Sequence, residues 1–208
     1  MAHETNTLAP WAELVPGVGP MIVNDLLARP DDGWQYELVE GRLVRMPGSG
    51  GEASTIAALV IAALVSWVLP RHLGAVTSSD GTYDLTQPGD TGDTGLVPDA
   101  AFVSAGRVPP RTAPEYAKAW HLAPDLVVEV ASPSQSRPEL KGKAERYIKA
   151  GVRLIWVSWP KRQQVDVWRP DAAGAARLVV TLKASAGDAL DGLDVLPGFN
   201  YPLANLFV

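Results

Sequence analysis

Glu129, Asp99 and Lys143 stand where their chemistry is not explained by solubility alone. Glu129 lies in D-L-V-V-E-V-A-S, a run in which Leu126, Val127, Val128 and Val130 leave little polar surface, as in a strand buried on both faces. Strand alternation puts Asp125, Val127, Glu129 and Ala131 on one face. A carboxylate inside such a strand requires a cation, a hydrogen-bond donor or a metal. Asp99 follows Pro98 at the start of a second apolar run, L-V-P-D-A-A-F-V-S. Alone, Pro-Asp is a turn signal. Set beside Glu129 on a neighbouring strand, it makes a carboxylate pair. Two carboxylates held close repel each other unless one is protonated or a divalent cation lies between them. Oxygen-only donors suit Mg²⁺ or Mn²⁺ rather than Zn²⁺. Lys143 shares a helical face with Glu139 and Tyr147, at i, i+4 and i+8. A structural ion pair between Glu129 and a nearby base accounts for the same residues equally well.

The elements that position these groups are legible in outline. Asn24 is expected to cap a short helix running through Leu27. Two strand-like runs, W-Q-Y-E-L-V and R-L-V-R-M, flank Glu40-Gly41. The two residues form a tight hairpin turn that pairs Glu37 with Val44. After a Gly-rich loop, Ser54 is expected to cap a long helix with an apolar stripe from Ile56 to Val68. Ala75 to Leu85 reads as a strand broken at Asp80-Gly81, and L-V-P-D-A-A-F-V-S as one strand opened by Pro-Asp. A helix from Glu139 to Ala150 stops at Gly151, and V-R-L-I-W-V-S, Q-Q-V-D-V-W-R and A-R-L-V-V-T-L read as three further strands. The tail is expected to wrap the domain. A paired hairpin followed by strands mixed with two main helices indicates an α/β or α+β fold with a mixed sheet. Residues 1–19 read as a loose leader and 20–208 as a single domain.

Composition narrows the chemistry. There is no cysteine among the 208 residues, which excludes disulfides and thiolate metal sites and is compatible with a reducing, cytoplasmic setting. His3, His72 and His121 are too scattered for a histidine metal site. The formal net charge of −5 argues against tight nonspecific DNA binding but leaves room for a local basic cleft. The opening residues lack the basic and apolar regions of a secretory signal. Ile56 to Leu69 is shorter than the roughly 20 apolar residues of a membrane span, so no membrane partner is expected. Trp67 and Trp156 read as core. Trp34, Trp159 and Trp168 read as candidates for an interface, and with it for a homodimer.

The runs Y-E-L-V-E-G-R-L-V-R-M-P, L-V-P-D-A-A-F-V, A-P-D-L-V-V-E-V-A-S-P-S, K-A-E-R-Y-I-K-A-G-V-R-L-I-W-V and V-L-P-G-F resemble, in order and spacing, the Uma2 family of restriction-endonuclease-like proteins within the PD-(D/E)XK nuclease superfamily. The resemblance runs from about Asn24 to the C-terminus. It implies a restriction-endonuclease-like core, a central mixed sheet flanked by helices with an N-terminal β-hairpin, and a metal-dependent endonuclease acting on DNA with Mg²⁺ or Mn²⁺. It makes Pro98-Asp99 the Pro-Asp motif and Glu129 the middle acid. The superfamily lysine two residues later is replaced by Ala131, and the match moves to Lys143 on the following helix. Glu37 matches an acidic position near the site. Asp99, Glu129 and Glu37 are thus the implied metal ligands, and Lys143 the implied group that orients the attacking water or stabilises charge on the phosphoryl oxygens. Two departures stand out. No histidine follows the Met-Pro loop, and Trp159 replaces the aspartate that usually precedes the proline after the W-V strand. The missing histidine and the acidic balance motivate an alternative, a catalytically silent nuclease-fold module that binds nucleic acid or protein.

Overall fold

A computed structural model of the protein describes residues 13–15, 19–46, 50–133 and 135–207. The expected leader over 1–19, part of the Gly-rich loop at 47–49, His3 and Ser134 lie wholly or mostly outside them. In chain order the strands are β1 (Glu13–Leu14), β2 (Gln35–Val39), β3 (Arg42–Met46), β4 (Gly74–Ser78), β5 (Tyr83–Asp84), β6 (Gly95–Leu96), β7 (Ala100–Ser104), β8 (Leu126–Val130), β9 (Leu154–Trp159), β10 (Gln164–Pro170), β11 (Ala176–Lys183), β12 (Ala189–Asp191) and β13 (Asn200–Pro202). The α-helices are α1 (Val23–Leu27), α2 (Gly51–Val68) and α3 (Arg137–Ala150).

A six-stranded sheet in the order β11-β10-β9-β8-β7-β4 forms the centre. Its β8–β9 pair is parallel and its other pairs are antiparallel, so the sheet is mixed, as expected. Parallel neighbours need a crossover, and α3 supplies it. One face of β8 turns Leu126, Val128 and Val130 into a cluster with Ile56, Val60, Leu64 and Val68 of α2. The tail closes this face with Leu190, Leu196, Phe199 and Leu203. The other face turns Val127 and Ala131 towards Leu140, Ala144, Tyr147 and Ile148 of α3. A five-stranded antiparallel sheet, β1-β3-β2-β6-β5, adds Val39, Val44, Tyr83 and Leu96 to that second cluster.

The hairpin forms as its sequence dictates. Glu37 pairs with Val44, and Glu40 and Gly41 both adopt positive φ, 52° and 74°, as a two-residue turn of the primed kind requires. Helix α3 begins two residues before the expected Glu139: Ser136 N–H donates to Glu139 Oε2 at 2.7 Å, the return arm of a capping box. Gly151, at φ 109°, ends it in the left-handed conformation.

Several boundaries differ from expectation. Ser54 is not a cap: its N–H already donates to Gly50 O at 3.0 Å, and α2 starts at Gly51, letting Ala53 join the buried stripe. Asn24 sits inside α1, whose start is held by Asp25 Oδ2 accepting the N–H of Ile22 at 3.1 Å. The run Ala75–Leu85 splits between sheets, β4 going to the larger and β5 to the smaller. L-V-P-D-A-A-F-V-S splits likewise into β6 and β7, with Pro98-Asp99 at the corner. With its 3₁₀ extension, α2 spans Gly51–Arg71 and is long and apolar enough by composition to cross a membrane. In the fold its apolar stripe packs on the sheet.

Candidate active site

Asp99 and Glu129 meet because of strand register. Ala100 of β7 pairs antiparallel with Val128 of β8, so the residue before Ala100 stands opposite the residue after Val128. Directly opposed residues in an antiparallel pair share a face, with Cβ atoms about 5 Å apart, and like charges there are unfavourable. The side chain of Asp99 partly relieves this by continuing the ladder itself: its Oδ2 accepts the N–H of Val130 at 2.7 Å.

Glu37 arrives from β2 in the other sheet. Its Oε1 accepts the N–H of Val97 at 3.0 Å, which ties it to the corner that carries Asp99. Lys143 reaches from α3 into the gap. Its Nζ lies 2.9 Å from Glu37 Oε1 and 3.0 Å from Glu129 Oε1. One turn along the same helical face, the hydroxyl of Tyr147 donates to Glu129 Oε1 at 2.8 Å. Glu37, Glu129 and Lys143 are 5%, 5% and 8% exposed, and Asp99 is half-buried. All four residues singled out in the sequence come together, on four different elements or corners.

Burial dominates the electrostatics. It raises Glu129 to about 8, against the pull of Lys143 and with a further push from Asp99 and Glu37. Burial also raises Asp99, offset by the Val130 N–H and by Lys143. For Lys143, burial acts downward, but Glu129 and Glu37 outweigh it and hold the ammonium charged well above its ordinary range. Burial and the neighbouring carboxylates hold Tyr147 protonated far above its usual range, so it remains a donor to Glu129.

The donor set is all oxygen and carries up to three negative charges against one positive. That is the chemistry of a hard divalent cation. Among the described residues, however, no three acidic or histidine groups close on a single point. In this conformation the ammonium of Lys143 takes the position between Glu37 and Glu129. The donor chemistry suits a divalent ion, while the gap between Glu37 and Glu129 is filled by the Lys143 ammonium.

Tyr147 is the member of the cluster that the sequence reading left without a role. Its spacing of four from Lys143 was the available signal. A further buried acid, Asp166 on β10, carries no signal in the sequence pattern. Its oxygens accept from Trp159 Nε1 at 2.9 Å, Thr181 Oγ1 at 2.5 Å and Arg137 at 3.3 Å. Trp159 and Trp168, expected at an interface, are buried at 7% and 9% exposure. Alternation along β9 and β10 turns both inward. Trp34 is exposed, with the Arg45 guanidinium 4.2 Å from its ring centroid. Asp125 is an acceptor, as its place at the strand entry suggested, taking the N–H of Ser104 and the guanidinium of Arg107, both at 2.8 Å.

A family model described as "Putative restriction endonuclease" matches residues 23–204. Among solved structures, the fold is similar to the crystal structure of a "putative nuclease belonging to DUF820" from Anabaena variabilis, with a TM-score of 0.73 and 23% identity. That match covers 90% of this chain and 98% of the other. No curated protein matches the chain.

Proposed function

The chain belongs to the Uma2 family, and on that premise we propose that it is a metal-dependent endonuclease that hydrolyses phosphodiester bonds of DNA. The observation that carries the reading is the convergence of Glu37 and Glu129 on the buried ammonium of Lys143, with Asp99 opposed to Glu129 across the β7–β8 pair. Opposed carboxylates lower stability, and such local violations persist where function requires them.

In this reading Asp99 and Glu129 hold Mg²⁺ or Mn²⁺, with Glu37 assisting. When bound, the ion supplies the acidity that makes water a nucleophile at neutral pH, and it polarises the phosphate. Tyr147 fixes the orientation of Glu129 through its hydrogen bond. Lys143, released from the carboxylates it bridges, donates to the phosphoryl oxygens as charge develops on them. The functional unit we propose is a homodimer, which suits the two-fold symmetry of duplex DNA.

Thermal melts with and without Mn²⁺, set beside cleavage of several DNA forms, test this. The parent gains a few degrees or more from saturating Mn²⁺ and cleaves, whereas Asp99→Ala does neither. Lys143→Ala melts lower without metal, because loss of one partner leaves buried carboxylates unpaired at a cost of about 3–5 kcal/mol. It still gains from Mn²⁺, while its cleavage slows by about 100-fold or more. Equal Mn²⁺ stabilisation of Asp99→Ala and parent would remove Asp99 from the ligand set.

One observation favours a second reading. Lys143 already bridges Glu37 and Glu129, so part of the acidic charge is neutralised without a metal. A parent that shows neither Mn²⁺ stabilisation nor cleavage makes the chain a non-cutting, nuclease-fold binding module.

A further inference from the structure

A small cleft of about 160 Å³ opens between the turn that leaves β8 and the turn that leaves β9. Its position relative to the acids follows from register. Glu129 pairs in parallel with Val157, and side chains repeat every two residues, about 6.6 Å along a strand. The next residues on that face are Ala131 and Trp159, and both line the cleft. The cleft therefore lies one pleat beyond Glu129, on the same face of the sheet.

Its walls carry opposite signs unequally. Lys161 and Arg162 form one side and Glu52, in the first turn of α2, contributes an acid. Lys161 and Arg162 are exposed, and among the described residues neither has a carboxylate partner. Arg107, Arg137, Arg153, Arg169, Lys143 and Lys149 each have one. Both free cations sit on a 3₁₀ turn, Pro160–Arg162, where Pro160 fixes the backbone. Below them Trp159 is locked by its Nε1–H to Asp166. The guanidinium carbons of Arg137 and Arg162 stand 5.6 Å and 5.9 Å from its ring centroid, within cation–π range. Arg162 is thus held over a rigid plate with its donors free.

We propose that this cleft seats the DNA backbone flanking the scissile bond, with Lys161 and Arg162 as its phosphate contacts. The proposal rests on the nuclease reading and adds the site that holds the substrate. A chain with a net charge of −5 cannot attract DNA through its overall field. It needs a local basic site, and this one adjoins the acids. Guanidinium and ammonium donors on a fixed turn match phosphate oxygens.

The test is fluorescence anisotropy of a labelled duplex in EDTA, at several salt concentrations. The parent is compared with Lys161→Ala/Arg162→Ala and with Arg111→Ala/Lys118→Ala, an equal charge change at exposed positions of the segment between β7 and β8. The first double variant is expected to lose about tenfold or more in affinity and about two from the slope of log K against log salt. The Arg111→Ala/Lys118→Ala variant keeps the parent's values. If the two double variants behave alike, or the first matches the parent, the cleft is not the DNA site. Cleavage in Mn²⁺ separates the two ideas. Cleavage with an unchanged KM in Lys161→Ala/Arg162→Ala overturns the cleft and leaves the nuclease reading standing. Cleft-dependent binding without cleavage in any metal does the reverse. A parent that binds no DNA overturns both.

Discussion

Glu129 sits between opposing influences: one cation and one phenol donate to it, while two carboxylates and burial resist its charge. Burial wins, and the group is raised to about 8 from an ordinary 4.5. A raised carboxyl binds its proton more tightly in the folded chain than in the unfolded one. The stability it contributes is therefore fully present below about pH 4.5 and is lost as pH rises through about 8. Asp99 is shifted in the same direction. Metal-free protein should accordingly lose stability across this window, and Glu129→Gln should flatten the dependence. Melting temperatures followed by circular dichroism from about pH 5 to about pH 9 in EDTA would show it. A parent that loses no stability relative to Glu129→Gln over that range would mean that Lys143 holds the carboxylate ionised throughout.

At the scale of elements, the site depends on how a hairpin from one sheet is held against strands of another. The hairpin was legible, because Glu40-Gly41 between apolar runs leaves one turn type and hence one register, Glu37 opposite Val44. Strand β8 and helix α3 were legible for similar reasons: a Val-rich run with a single acid, and a helix stopped by Gly151. The partition of L-V-P-D-A-A-F-V-S between two sheets was not. Its apolar pattern continues through Pro98-Asp99, and only tertiary pairing of Leu96 with Tyr83 and of Ala100 with Val128 divides it. For the site, the local pattern singled out Asp99 and Glu129 as a carboxylate pair, and the family resemblance assigned Lys143 and added Glu37. The close bridging of Lys143 to two carboxylates, and the buried Asp166, depend on packing that no local pattern encodes. The hairpin turn is anchored by the loop that follows it in space. Gly41 N–H donates to Asp93 O at 2.7 Å, and a Cβ on Gly92 would stand 2.6 Å from the carbonyl carbon of Glu40 and 2.8 Å from Gly41 N. Backbone cannot yield cheaply at such distances. Gly92→Ala is expected to cost about 1–3 kcal/mol in urea unfolding and to weaken Mn²⁺ stabilisation by shifting Glu37. An unchanged midpoint would show that the turn moves freely and does not position that acid.

At the scale of the whole molecule, the six-stranded sheet ends at β11, whose outer edge has no strand partner among the described residues. This eight-residue strand carries Leu178, Val179 and Val180 at 38%, 47% and 43% exposure. Three consecutive apolar residues on a long edge are an invitation to pair with another chain. Trp159 and Trp168 are buried and present no surface for association; β11 offers a longer exposed apolar edge. A second copy related by a two-fold axis near Val179 and Val180 would pair the two edges antiparallel and satisfy both rows of backbone donors and acceptors. Arg177 and Lys183 near the strand's ends discourage longer stacking, because charged edge positions oppose continued growth of a sheet. The protein should therefore have twice the mass of its 22.1 kDa chain in light scattering at about 10 μM, a typical concentration for a specific dimer. Val179→Lys, on the exposed edge, should yield a monomer with an unchanged far-UV spectrum. If the parent is monomeric there, the exposed strand is not a dimer edge. If Val179→Lys remains dimeric, the two copies meet elsewhere.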